Sequence, residues 1–435
     1  MLGQVSMSLR VTTTVLLLLT LVTTACLYDP FPRVILPARN ISEFTLDGPA
    51  VYFGAGYHLY RLHLTTRVLE KLYSTDRIRV EQPIVKDGTV YFGGRSHVDE
   101  KGNRGEPDGF FAVEVQSGQK LWKFPLRADD GYGTYGTYPL LVEDRILVCA
   151  RERLHCLDRT TGTELWKVDN WFGRVSDGTT IPYAHKDFVY FKIHEFSLPA
   201  KDSYSSYRTE APNDGHWAKV ALPNGRRTEV LSIADKPATY HDTDGTSIGV
   251  LADGVVYGAT RYDGDSYPAS RFGALDVEAK KLMWEVKGIR VRTKPALSTR
   301  FVFTIRDHAL LALYRQTGVG AWSKSITDIV LTETQNLIRP ERDHEHAESR
   351  RLAATEKVVI VQGSQGISAL TTEDGKQLWV VKLKSGRGSA SPLIVGQMVI
   401  VTVAEENLII ALDLKNGAEL WRVSIPDSQY HYVAD

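Results

Sequence analysis

From residue 42 onward the chain alternates short apolar runs with polar turns in one recurring order. A first run often opens on a proline and ends in a two- or three-residue polar turn. A β-branched and aromatic run follows, then a third run, a glycine-bearing turn, and a fourth run closing on a large aromatic. Runs of four to eight residues bounded by Gly, Pro, Asn and Asp predict strands joined by tight turns. The third run, turn and fourth run form an eleven-residue phrase that aligns without gaps at residues 61–71, 112–122, 156–166, 219–229, 274–284, 312–322, 369–379 and 411–421. Six of the eight copies end on Trp (Trp122, Trp166, Trp284, Trp322, Trp379 and Trp421), and Lys71 and Glu229 stand there in the other two.

Each position of the phrase has a physical task. The leading Ala or Cys is small because it lies on a closely packed strand. Asp158, Asp276 and Asp413 can hold turn amides, and Gly118, Gly162, Gly318, Gly375 and Gly417 tolerate positive φ. The closing Trp offers a large apolar face to a neighbouring sheet, and its indole N–H can reach a backbone carbonyl. Units of this kind cannot bury both faces alone, so eight of them predict an all-β ring, an eight-bladed β-propeller of four-stranded antiparallel blades over 42–424.

The phrase resembles the tryptophan-docking motif of quinoprotein-type β-propellers. That family includes both enzymes and non-catalytic scaffolds, so the resemblance implies a fold before it implies an activity.

With strands lettered A to D from the axis outward, antiparallel order puts A–B and C–D turns on one face. The A–B turns are short, as at Lys86-Asp87-Gly88, Glu143-Asp144, Ala252-Asp253-Gly254 and Val395-Gly396. The long insertions are B–C connections (95–108, 192–215, 260–271) or the D–A connection 325–350, and these share the opposite face. Loops displayed on a rigid scaffold are where binding usually resides.

Composition narrows the function classes. Lys+Arg and Asp+Glu both number 52, so the net charge of zero argues against nucleic acid and against a polybasic membrane grip. The N-terminus carries Arg10, an apolar run over 11–22 and then Thr23-Thr24-Ala25-Cys26. A short apolar core ending on small residues predicts a signal peptide over 1–25. Thr24-Ala25-Cys26 resembles the lipobox of bacterial lipoproteins, which implies lipidation of Cys26; ordinary cleavage leaving a plain thiol is the alternative. Residues 26–41 then form a tether and lead-in strand, and 425–435 a C-terminal tail. Leu27, rather than Asp, follows the lipid site, which leans towards the outer membrane. Cys149 and Cys156 flank a hairpin turn and are read either as a cross-strand disulfide or as two buried thiols.

Two candidate sites lie on the elaborated face. Gln82, Tyr138, Arg292, Lys294 and Arg350 fall near the starts of A strands, with Glu81 and Ser391, around an axial funnel. In cofactor-bearing relatives this region holds a quinone and calcium, but the residues here lean basic and polar, and a solvated channel mouth is the competing reading. The second candidate is the aromatic set Tyr132, Tyr135, Trp171, Phe172 and Trp217 beside Arg174, which makes a protein-binding hot spot if exposed and loop packing if not. The run Asp343-His344-Glu345-His346 reads as a solvated loop rather than a metal site. No CxxCH haem motif is present.

Two functions follow. The chain resembles the propeller lipoprotein subunit of the outer-membrane barrel-assembly machinery, which implies a non-catalytic protein-binding scaffold in the periplasm. Its partners would be other envelope proteins, with a membrane reached through the lipid and no cofactor. The alternative is a periplasmic dehydrogenase using pyrroloquinoline quinone (PQQ) with calcium. Against it stand a chain short for that class and the lack of an adjacent Cys-Cys pair.

Overall fold

The computed structural model describes residues 41–75, 78–96, 109–126, 139–150, 153–169, 183–193, 216–231, 249–262, 270–289, 293–306, 308–327, 351–383, 390–403 and 406–426. The chain divides into two units, Met1–Ala38 with Tyr430–Asp435, and Arg39–Gln429. Every described residue lies in the second.

That unit is a ring of eight four-stranded antiparallel sheets, each made of four consecutive strands. Blades 1 to 8 span 45–74, 78–125, 139–169, 183–231, 250–287, 296–325, 351–382 and 393–424. The expected propeller is therefore observed, with its first strand at Thr45–Asp47 and its last at Glu419–Ser424. Each A–B connection is short, and the residues between blades run from a D strand to the next A strand. The four long insertions read from the sequence fall on B–C or D–A connections, and so does a further one, 232–249, between blades 4 and 5.

Burial follows from strand position. B and C strands lie between two neighbours in their own sheet and between two adjacent blades. They are accordingly mostly apolar and buried, as in Ala50–Ala55 and Leu408–Asp413. D strands face outward and alternate, as in Glu419–Ser424. Eight apolar clusters result, one between each pair of adjacent blades, the last joining Ile400, Ile409 and Trp421 of blade 8 to Val51, Phe53 and Tyr60 of blade 1.

The eleven-residue phrase is the joint between blades. Its first and last residues face each other across the C–D hairpin, as in Ala369↔Trp379 and Ala411↔Trp421, with a bulge just after the first. The bulge turns the Trp towards the next blade, where its indole N–H donates to a turn carbonyl. Trp122 reaches Arg159 O, Trp166 Leu222 O, Trp284 Arg315 O, Trp322 Thr372 O and Trp379 Leu414 O, at 2.7–3.2 Å. The turn glycine of that next blade lies flat against the same ring. A Cβ on Gly162, Gly225, Gly318, Gly375 or Gly417 would come within 2.8 Å of the docked indole. These glycines thus serve two needs at once, a positive φ and a close approach. Gly225 belongs with the glycines named from the sequence and was missed because its own copy has lost both the small residue and the Trp.

The first copy differs in register. Arg61 pairs with Glu70 and Tyr60 with Lys71, so the bulge sits between Leu59 and Tyr60. Without a Trp to aim, the hairpin instead forms the Arg61–Glu70 ion pair, with Nε 2.7 Å from Oε2.

The ring closes without exchanging a strand between its ends. Glu43 accepts hydrogen bonds from the Ser391 amide and hydroxyl at 2.9 and 3.1 Å, and Tyr60 OH donates to Pro426 O at 2.9 Å. Ile41 adds a bridge to Ala55. Cys156 is a free, buried thiol, pushed up to about 12 by desolvation. It pairs in register with Leu147, while Cys149 pairs with Leu154. Cys156 therefore follows the buried-thiol reading, and the cross-strand bond is set aside.

Candidate functional site

The two faces of the ring are built differently. On the face of A–B and C–D turns, charged residues tie the inner turn of one blade to the outer turn of the next. Asp87 meets Arg159 at 2.6 Å, and Asp253 meets Arg315 at 2.9 Å. His185 Nε2 lies 2.7 Å from Glu278 Oε1, with Lys186 on the same oxygen, and Arg300 meets Glu373 at 2.7 Å. Hydrogen bonds to the charged form hold two carboxylates below their ordinary range: Arg159 acts on Asp87, and Lys186 then His185 on Glu278. Glu356 is lowered likewise by the Thr299 hydroxyl and then the Thr299 amide. This face is short-looped, and several of its charges hold adjacent blades together.

The opposite face carries the A-strand starts, the B–C connections and the D–A connections. Of the five residues assigned to the axial funnel, the structure describes Gln82 and Lys294. In blade 2 the pairing slips between Glu81 and Ile84, so Gln82 and Pro83 bulge from the A strand. Pro83 O accepts a bond from the Thr45 hydroxyl of blade 1. Gln82 Oε1 is cut off from solvent and takes no hydrogen bond among the described residues. Lys294 is exposed beside the buried Thr293, ahead of the A strand of blade 6. Tyr138, Arg292 and Arg350 lie outside the described residues.

Of the aromatic set, Tyr132, Tyr135, Trp171 and Phe172, together with Arg174, lie outside the described residues. Trp217 stands on the C strand His216–Ala221, opposite Lys192 and Leu231. The run 343–346 and Cys26 are also outside. Of the aromatic set, Trp217 alone falls among the described residues.

Two axial residues were missed from sequence. Glu43 and Thr45 reach across blade boundaries to Ser391 and Pro83, and neither occupies a repeated position of the phrase. Their partners are distant in the chain, so no local pattern marks them.

A quinone–calcium centre needs several carboxylates and amides converging on the metal. Among the described residues, no three His, Cys, Asp or Glu side chains come together to hold a metal ion. Both oxygens of Glu43 are already taken by Ser391. Lys294, exposed ahead of the blade 6 A strand, brings a cationic side chain rather than a carboxylate. The described axial residues do not fit such a centre.

The family model described as "Outer membrane protein assembly factor BamB" matches residues 110–203 and 334–433. These stretches run from the C strand of blade 2 into blade 4, and from the connection before blade 7 past blade 8. A sequence search among curated proteins gives no match. Among solved structures, BamB from Moraxella catarrhalis superposes with a TM-score of 0.58 at 13% identity, covering 85% of this chain and 94% of that one. A quinohemoprotein alcohol dehydrogenase from Comamonas testosteroni gives 0.54 at 13% identity, over 81% of this chain and 68% of that one. A europium-containing methanol dehydrogenase gives 0.51 at 13% identity, over 81% and 80%. At such identity the superpositions speak for the fold. The chain is a PQQ-like eight-bladed propeller that resembles BamB.

Proposed function

We propose that this chain is a non-catalytic protein-binding scaffold of the bacterial cell envelope, acting in outer-membrane protein assembly. The match of the BamB family model to 110–203 and 334–433 carries the reading. The division of labour between the faces supports it. One face is closed by short turns and inter-blade ion pairs, which leaves the B–C and D–A connections as the surface free to vary and to bind. In this reading Cys26 is lipidated and holds the ring at the periplasmic side of the outer membrane. The aromatic residues Trp171 and Phe172, with Arg174, are the anchors expected of a protein partner.

The ring itself needs no motion to act in this way. Six of the eight joints are closed by a Trp packed between blades, which stiffens most of the platform, so partner loops meet a surface largely organised beforehand and lose less entropy on binding.

The fold is shared with quinoprotein dehydrogenases, so the decisive experiment is reconstitution. The purified full chain is incubated with calcium and PQQ, then assayed for a bound chromophore and for dye-linked oxidation of alcohols and sugars. The scaffold reading expects neither. A stoichiometric chromophore with substrate-dependent dye reduction overturns it in favour of the dehydrogenase.

A further inference from the structure

The joints between blades are not equivalent. Seven are made either by a docked Trp or by an aromatic and hydrogen-bonded substitute. Blade 1 lacks the Trp, yet its joint to blade 2 is dense. Tyr73 of blade 1 lies 6.2 and 6.4 Å from the Phe92 and Phe111 rings of blade 2, Val80 N donates to Gly56 O at 3.0 Å, and Arg61 donates to Val115 O at 3.2 Å. Trp421 of blade 8 sits among twelve buried residues shared with blade 1.

The joint between blades 4 and 5 has lost every part of the device. Lys219 replaces the small residue, Glu229 stands opposite it in place of Trp, and Lys280 (φ 55) takes the place of the turn glycine in blade 5. Among the described residues its apolar cluster is the smallest of the eight: Tyr190 from blade 4 against Val256, Leu275 and Val277 from blade 5, with Phe188 and Leu251 packed beside them. The Lys219 ammonium lies 3.9 Å from the Phe188 ring centroid and 5.8 Å from that of Tyr190. A further link lies at the turn face, where Glu278 of blade 5 meets His185 and Lys186 of blade 4. Exposed ion pairs contribute far less than a buried indole.

We propose that the blade 4–blade 5 interface is the opening seam of the ring, a joint built to part locally while the other seven hold. The sequence change is concerted: three positions that serve one contact have all been replaced.

Thiol labelling tests this. With Cys26 and Cys149 changed to Ala, Cys156 reports on the joint between blades 3 and 4, which Trp166 docks. Val256→Cys or Val277→Cys places a second thiol in the seam, and Val401→Cys places one in the Trp379-docked joint between blades 7 and 8. Native iodoacetamide labelling is then followed peptide by peptide. Both seam thiols should label at least about tenfold faster than Cys156 in the same molecule, while the Val401→Cys thiol keeps pace with Cys156. Glu278→Gln should widen that ratio. The combination Lys219→Ala, Glu229→Trp and Lys280→Gly should bring it towards one. Seam thiols that label no faster than Cys156, or a ratio untouched by the restoring combination, overturn the proposal.

Discussion

Replacing Trp379 by Ala measures what one docked indole contributes. Trp379 is 7% exposed, packs within the apolar cluster of blades 7 and 8, and donates to Leu414 O at 2.9 Å. A buried Trp removes ~150–250 Å² from water, which at about 25 cal/mol per Å² corresponds to ~4–6 kcal/mol. Measured Trp-to-Ala losses in cores run at ~3–5 kcal/mol, and the lower range applies here because part of the ring edge stays wet. The partner position sharpens the test. A Cβ on Gly417 would lie 2.8 Å from two ring atoms of Trp379, and Gly417 has φ 74. Gly417→Ala therefore combines backbone strain of ~1–2 kcal/mol with overpacking of ~1–3 kcal/mol. In the Trp379→Ala background the ring is gone, so only the backbone strain remains. Urea denaturation followed by far-UV circular dichroism on the four proteins of this cycle should show Gly417→Ala costing less when Trp379 is absent. Equal costs in both backgrounds, or a Trp379→Ala loss under about 1 kcal/mol, would refute the docking account.

Three further outcomes are expected. Asp87, Glu278 and Glu356 are held below the ordinary carboxylate range by their partners. Depressed carboxylates stabilise the fold above their unfolded values, and that stability is lost as pH falls through the folded ones. Melting temperature should therefore decline below about pH 4, with a shallower slope in the Asp87→Asn, Glu278→Gln double variant; an identical slope would contradict the inter-blade role. Cys26→Ala should abolish incorporation of labelled lipid and yield a soluble, folded ring, whereas surviving label would place the anchor elsewhere. Shortening the connection 328–348, or changing Trp171 to Ala, should weaken partner capture while shifting the melting temperature by no more than a few degrees; a large drop from both would make those segments structural.

Much of the ring was legible because its joint is local. Small residue, turn glycine and Trp fall within eleven residues, so the joint leaves a repeating mark in the chain. Even the glycine's need for φ above zero could be inferred from the turn. What could not be read is the set of contacts made between blades by unrepeated residues. Asp87 and Arg159, or His185 and Glu278, meet only because the ring brings inner and outer turns together. Glu43 and Ser391 meet only because it closes. The shifted bulge of blade 1 was hidden for a related reason. Arg61 to Lys71 aligns with the other copies, yet the Arg61–Glu70 pair draws the hairpin into a different register. The aromatic set and most of the funnel belong to connections, where neither period nor turn chemistry dictates placement.

The face assignment is the centre of the account, and site-specific photocrosslinking in living cells of the native host tests it most directly. A photoreactive residue at Lys294 or Thr327 probes the elaborated face, and one at Asp374 or Lys415 probes the turn face; all four are exposed. Adducts with envelope proteins from Lys294 and Thr327, and none from Asp374 and Lys415, are the predicted result. Adducts confined to Asp374 and Lys415 would contradict it.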